Sequence, residues 1–254
     1  MTINVGIGKS TIKDSFKAGK QAAELALKDL GDEKAQVLIV FGSPKFKQQK
    51  LLDGITSITQ RTPMIGGTSA GEISTFGVSI HSVIILALSA DKISFATALG
   101  KNIQKNEFKA GEQAAKKLLY KIPKSSAKSM IIFPDGLSGD GSLIIKGCQS
   151  VLGESFEIVG GALGDETDFK QTYQYYDGEI YQDSIPSLMI GGNAVTASGV
   201  RSGWKSIGNR IKVTKAKGNV VYEFDNVPAL EYYEQCLGPK RAKKLPSIGL
   251  EYPI

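Results

Sequence analysis

The sequence predicts an α/β protein built from two duplicated halves, with mixed sheets and flanking helices. Three observations carry this reading. Residues 16–27, FKAGKQAAELAL, recur as FKAGEQAAKKLL at 108–119, with eight of twelve positions identical at an offset of 92. Both copies place apolar residues at helical spacing and lysines on the other face. Each is followed by a continuously apolar stretch, 37–41 or 130–133, of the kind found in a strand covered on both faces.

The elements follow in the same order in each half. Asp14 and Asn106 precede the two helical patterns, and both are good N-cap residues. After the buried strand comes a turn, Gly42-Ser43-Pro44 or Pro134-Asp135-Gly136, and a second helix over 47–60 or 140–152. A short strand then enters a glycine block. Gly66-Gly67-Thr68-Ser69-Ala70-Gly71-Glu72 lies against Gly160-Gly161-Ala162-Leu163-Gly164-Asp165-Glu166 at an offset of 94, which pairs Glu72 with Glu166. Residues 82–89 and 93–99 read as a hairpin, echoed by 187–190 and 194–200. Tyr173, Tyr175, Tyr176 and Tyr181 alternate around Asp177-Gly178 and predict a further hairpin, followed by another at 211–222 and a helix over 228–237. The halves, about 1–100 and 101–200, either share one continuous sheet or stack as a four-layer α-β-β-α sandwich. The pattern leaves both open.

Composition bounds the function. The chain has 254 residues, 41% hydrophobic and 22% charged, close to the globular average. Its longest apolar run, 83–88, is far below the roughly 20 residues a membrane helix needs. The start, MTINVGIGKST, lacks the pattern of a signal peptide, and the two cysteines, Cys148 and Cys236, form no disulfide framework or zinc site. A cytoplasmic protein without membrane partners is the expectation. The net charge is +6, yet only four of 31 basic residues are arginines, and the lysines are scattered among 25 acids. Phosphate and base recognition favour arginine forks, so a nucleic-acid partner is not expected.

Catalytic motifs are sparse. Gly6-Ile7-Gly8-Lys9-Ser10 resembles the end of a phosphate-binding loop, but Ile3 stands where that loop needs glycine, so it reads as a turn into the first helix. His81 is the sole histidine and has no nucleophile elbow beside it, so a strand-end role is expected. No cofactor or metal motif stands out. The glycine blocks are the sharpest feature. Small residues at a strand end let a ligand approach the backbone, whose N–H groups can hold a carboxylate. They can equally serve close packing of the two halves. On the ligand reading, Gly66, Gly67, Thr68, Ser69, Gly160 and Gly161 supply the cradle, and Glu72, Asp135 or Asp165 takes an ammonium group. The alternative is an enzyme in which Glu72, Asp135, Asp165 or Glu166 performs acid–base chemistry on a small carboxylate substrate.

Together the stretches VLIVFGSP, PMIGGTSAGEIS, MIIFPDGLSGDGS, VGGALGDETDFKQTYQYYDGEIY and SGWKSIGNRIKVTKAKGNVVYEFDNVPALEYYEQCLG resemble the N-terminal domain of the FIST family, over about residues 5–238. The resemblance implies a non-catalytic sensory domain of prokaryotic signal transduction. Its ligand would be a small polar metabolite such as an amino acid. Its partners would be a downstream signalling domain or a C-terminal FIST domain, with residues 239–254 as a basic linker and the start of that domain. It also adds Trp204 and Lys205 to the binding set. The family pattern Gly-x-Arg-Pro-x-Gly is replaced here by Gly203-Trp204-Lys205-Ser206-Ile207-Gly208. A lysine keeps the charge at that place but loses the bidentate fork.

Overall fold

The computed structural model describes residues 2–166, 168–201 and 203–253. The first half runs β1 (Ile3–Ser10), α1 (Ser15–Leu30), β2 (Val37–Gly42), α2 (Gln48–Thr59), β3 (Met64–Thr68), a small hairpin of β4 (Glu72–Ser74) and β5 (Gly77–Ser79), then β6 (Val83–Ala90). The second half repeats it as β7 (Ile93–Lys101), α3 (Glu107–Leu119), β8 (Ala127–Ile132), α4 (Gly141–Leu152), β9 (Glu157–Gly160), the hairpin β10 (Gln174–Tyr176) and β11 (Glu179–Tyr181), then β12 (Ser184–Gly192). The sheet orders match, β1-β6-β2-β3 and β7-β12-β8-β9, with β10-β11 added beyond β3. In each half one parallel pair, β2–β3 or β8–β9, is joined through a helix.

Local causes repeat with the topology. The side chains of Asp14 and Asn106 accept from the amides of Lys17 and Lys109, at 2.9 and 2.8 Å, and start α1 and α3. Paired glycines let the helices of each half touch. A Cβ on Gly19 would stand 2.1 Å from the Leu51 carbonyl oxygen, and one on Gly111 2.2 Å from that of Ile144. The apolar side chains form three clusters. One joins α1 and α2 to the six-stranded sheet through residues such as Leu38, Val40, Leu51 and Ile85. A second joins α3 and α4 to the four-stranded sheet through Ala114, Met130, Ile144 and Met189. The third draws Val37, Ile39 and Ile65 from one sheet and Leu188, Ile131 and Phe133 from the other side.

Three local expectations are corrected. The segment containing Gly6-Ile7-Gly8-Lys9-Ser10 is not a turn. It is most of β1, an eight-residue strand whose Gly6 and Gly8 lie against the backbone of α1. Residues 83–90 and 93–101 are not a hairpin, because β6 and β7 belong to different sheets, so the link between them passes from one half to the other. Residues 194–200 form no strand, and β12 pairs instead with β7 and β8.

Residues up to Ser198 form one compact unit and those from Gly199 another. The latter holds β13 (Val213–Lys217), β14 (Val220–Phe224), β15 (Val227–Pro228), α5 (Ala229–Leu237), α6 (Pro239–Ala242) and a 3₁₀ turn at Ser247–Leu250, around buried Phe224, Leu237 and Ile248. Among the described residues no helix is long and apolar enough to cross a membrane.

Candidate functional site

The halves differ most after their glycine blocks. In the first, only residues 69–71 separate β3 from its hairpin, whereas in the second residues 161–173 separate β9 from its own. The longer link carries β10 across the seam to pair antiparallel with β3, placing Gln174 opposite Gly67 and Tyr175 opposite Gly66. Tyr175 is fully buried and its hydroxyl donates to Gln48 Oε1. Burial raises its phenol pKa well above the ordinary value.

This insertion changes which acids correspond. Glu72 opens β4, and its counterpart at the opening of β10 is Gln174 rather than Glu166. Their contacts agree. Glu72 Oε2 accepts from Ser82 Oγ at 2.5 Å, and Gln174 Oε1 accepts from Ser184 Oγ at 3.3 Å.

The four glycines of the blocks have different tasks. Gly66 and Gly160 both have φ near +147°, at +147° and +146°, and a Cβ there would stand 1.8 Å from the Val40 oxygen or 1.9 Å from that of Ile132. Both therefore serve strand packing. Gly67 is also packed, since its Cβ would lie 2.3 Å from Leu163 Cδ1 and 2.4 Å from the Tyr173 carbonyl oxygen. Gly161 alone of the four faces open space, with nothing within 4 Å of an added Cβ.

Gly161 also borders a cleft of about 200 Å³ at the seam of the halves. Thr68, Ser69 and Ala70 line one side, and Gly161, Ala162 and Leu163 the other. Phe41 and Phe133, equivalent residues of the two halves, also line it and meet edge to face with ring centroids 4.9 Å apart. Most backbone amides here are already engaged. Thr68 donates to Tyr173, Ser69 to Gly42, Gly161 to Ile132, Leu163 to Pro134 and Gly164 to Thr68. Among the described residues, the amides of Ala70 and Ala162 donate to nothing within the protein.

The predicted acids are held by the protein itself. Glu72 is buried, with Ser69 Oγ donating to its Oε1 at 2.8 Å and Ser82 to its Oε2. Asp135 is buried and accepts from Thr172 Oγ1 at 2.7 Å, Ser138 Oγ at 3.1 Å and the amides of Leu137 and Asp183. Asp165 accepts three amides, from Phe169, Lys170 and Gln171, and so shapes the inserted loop. None of the three is among the cleft-lining residues. Trp204 and Lys205 lie in the C-terminal unit, in a stretch without helix or strand.

Sequence reasoning missed a polar clasp. Glu166, at φ +63°, accepts from Ser43 Oγ at 2.8 Å and lies 3.6 Å from His81 Nε2 and 3.7 Å from Lys45 Nζ. Lys45 also pairs with Asp168 at 3.0 Å. Its hydrogen bond to Asp168 raises the Lys45 pKa and lowers that of Asp168. The inserted loop of the second half thus grips the first half. The signal was the offset itself, which rises from 92 to 102 by Ser184. Among the described residues no cluster of side chains fits a metal ion.

Fold and site define an internally duplicated α/β domain with a small cleft where its two halves meet. Residues 36–227 match the FIST N domain, and the chain belongs to that family. It is 24% identical over 237 residues to the uncharacterized protein MJ1623 of Methanocaldococcus jannaschii, a match that covers 89% of this chain and 45% of that protein. The chain therefore spans about half the length of this curated relative. Among solved structures, cyanuric acid hydrolase from A. caulinodans aligns with a TM-score of 0.43 at 9% identity, over 76% of this chain and 72% of the hydrolase. A second structure of cyanuric acid hydrolase gives 0.42 at 10%, over 75% and 69%. At that distance the likeness brings no chemistry to this chain.

Proposed function

We propose that the chain is a non-catalytic sensory domain whose seam cleft takes a small polar metabolite, with a free amino acid as the best match. The observation that carries this reading is the cleft itself, small and lined by both glycine blocks. The uncommitted amides of Ala70 and Ala162 suit a carboxylate. Ser69 gives its hydroxyl proton to Glu72, so it offers a ligand only lone pairs, which suit an ammonium group. Glu72 acts from behind Ser69 rather than by direct contact. The engaged state of Glu72, Asp135 and Asp165 supports binding over acid–base chemistry. A ligand that fills the cleft touches both halves, and the signal passes on to a downstream partner.

The test is Gly161→Val in a thermal-shift screen of amino acids and small carboxylates. The added Cβ meets nothing within 4 Å, so the fold is retained, and the new side chain stands on a residue that lines the cleft. A ligand at about a hundredfold excess over its dissociation constant stabilises the native state by about 2.7 kcal/mol. The variant should lose that shift. A ligand that stabilises Gly161→Val as well as the natural protein would refute this site.

A further inference from the structure

The two halves treat their outer sheet edges differently. β1 and β7 are the edge strands at equivalent ends of the two sheets. An edge strand turns every second residue's N–H and C=O outward, where another chain can pair with them. On β7 that outward row is capped by α3 and the turn that follows it. Lys117 Nζ donates to the Leu99 carbonyl at 2.8 Å, Lys121 Nζ to the Thr97 carbonyl at 2.7 Å, and Gln113 Oε1 accepts from the Lys101 amide at 3.0 Å.

At the repeat offset of 92 the capping lysines become Leu25 and Asp29, and the capped carbonyls become those of Ile7 and Val5. Leu25 has no proton to donate. Asp29 accepts from the Ile7 amide at 2.9 Å, and Gln21 turns to the Ser10 hydroxyl. Among the described residues, the other outward groups of β1 have no partner. The same duplicated edge is thus capped at three outward groups in one half and at one, the Ile7 amide, in the other.

A groove of about 810 Å³ runs beside the open edge. Ile7, Leu25 and Phe76 give it apolar walls, and Phe76, from the turn of the β4–β5 hairpin, is 62% exposed. Lys9 and Lys28 line it too, and the single acid there, Asp29, already holds the Ile7 amide.

We propose that the β1 edge docks an extended acidic peptide segment of a partner protein. The segment adds a strand to the sheet through backbone hydrogen bonds. Its side chains alternate, so an apolar residue sits among Ile7, Leu25 and Phe76 while acids two positions away on the same face meet Lys9 and Lys28. A second copy of this chain fits less well, because β1 brings a lysine and no acid to the groove. This surface is independent of the seam cleft.

The probe is a fluorescein-labelled eight-residue peptide, Val-Thr-Glu-Thr-Val-Thr-Glu-Thr, which sets valine and glutamate two positions apart on one face, followed by anisotropy. Its control carries lysine in place of each glutamate. Leu25→Lys installs the cap present in the second half, at a position 42% exposed and so tolerant of lysine. Lys28→Glu, also exposed, reverses the groove's charge without touching the apolar walls. The acidic peptide should bind, and each variant and the basic peptide should lower affinity by about tenfold or more, the scale of one lost anchor contact. Amide exchange at Val5 and Lys9 should slow when the acidic peptide is bound. Equal affinity for the two peptides, undiminished binding to Leu25→Lys, or no binding of the acidic peptide would overturn the proposal. A peptide-free dimer in sedimentation that Leu25→Lys dissolves would overturn it in favour of a second copy.

Discussion

Asp165→Ala tests what holds the inserted loop that walls the cleft. The carboxylate is 3% exposed and takes the Phe169 amide at 3.0 Å, the Lys170 amide at 2.6 Å and the Gln171 amide at 2.9 Å. A hydrogen bond to a charged group contributes about 1.5–3 kcal/mol. The three do not add in full, because they share one carboxylate and the loop they close is exposed or half-buried. Water takes up the released amides, so the loss should be about 2–3 kcal/mol. For a domain of this size that lowers Tm by roughly 5–10 °C. Urea unfolding measures the loss, and hydrogen exchange at residues 169–171 localises it. The same loop carries Glu166, Thr172 and Tyr173, which grip Ser43, Asp135 and Thr68. Ligand affinity should therefore fall with stability. A change below about 0.5 kcal/mol, ordinary for a surface substitution, would show that the pairing of β10 with β3 holds the loop without Asp165.

Other consequences follow from the same geometry. Burial pushes the Cys148 thiol up to about 12 while Cys236 is exposed, so a thiol reagent at pH 8 should modify Cys236 alone in the native protein, and fast modification of Cys148 would contradict the packing of α4. Gly147→Ala brings a methyl to 2.0 Å from the Phe108 carbonyl oxygen and should destabilise by about 2 kcal/mol or more through forced separation of α3 and α4; an unchanged urea midpoint would refute that close contact. The Asp168 carboxyl is held below its ordinary value by its hydrogen bond from Lys45. Its contribution is present above about pH 4 and is lost as pH falls through the lower folded value, so the loop's protection relative to intrinsic exchange at each pH should fall in acid, and a pH-independent protection would exclude the clasp.

Much of the fold was legible because the duplication left its mark on residues that local physics reads directly. The helices over 16–27 and 108–119 show both their stripe and their N-cap residues. The buried strands show as unbroken apolar runs. β1 was not legible, since its Gly6 and Gly8 serve contact with α1 and imitate a loop. The separation of β6 from β7 was hidden too, because a short polar link between strands looks the same whether they pair or part. In the site, the glycine blocks were found by their lack of side chains. Their division of labour was not, because only neighbours distant in sequence, such as Val40 for Gly66 and Leu163 for Gly67, decide it. The acids were read as ligand contacts because a carboxylate that holds backbone amides looks, in sequence, like one that holds a ligand.

The most direct test of the seam cleft is an NMR titration of the ¹⁵N-labelled protein with single L-amino acids, up to about 10 mM, which reaches weak binding. The account predicts that at least one saturates, and that the Ala70 and Ala162 amides shift together with a common dissociation constant, with no such response in Gly161→Val. Saturable binding that leaves both amides unmoved, or no saturation by any amino acid, would contradict it.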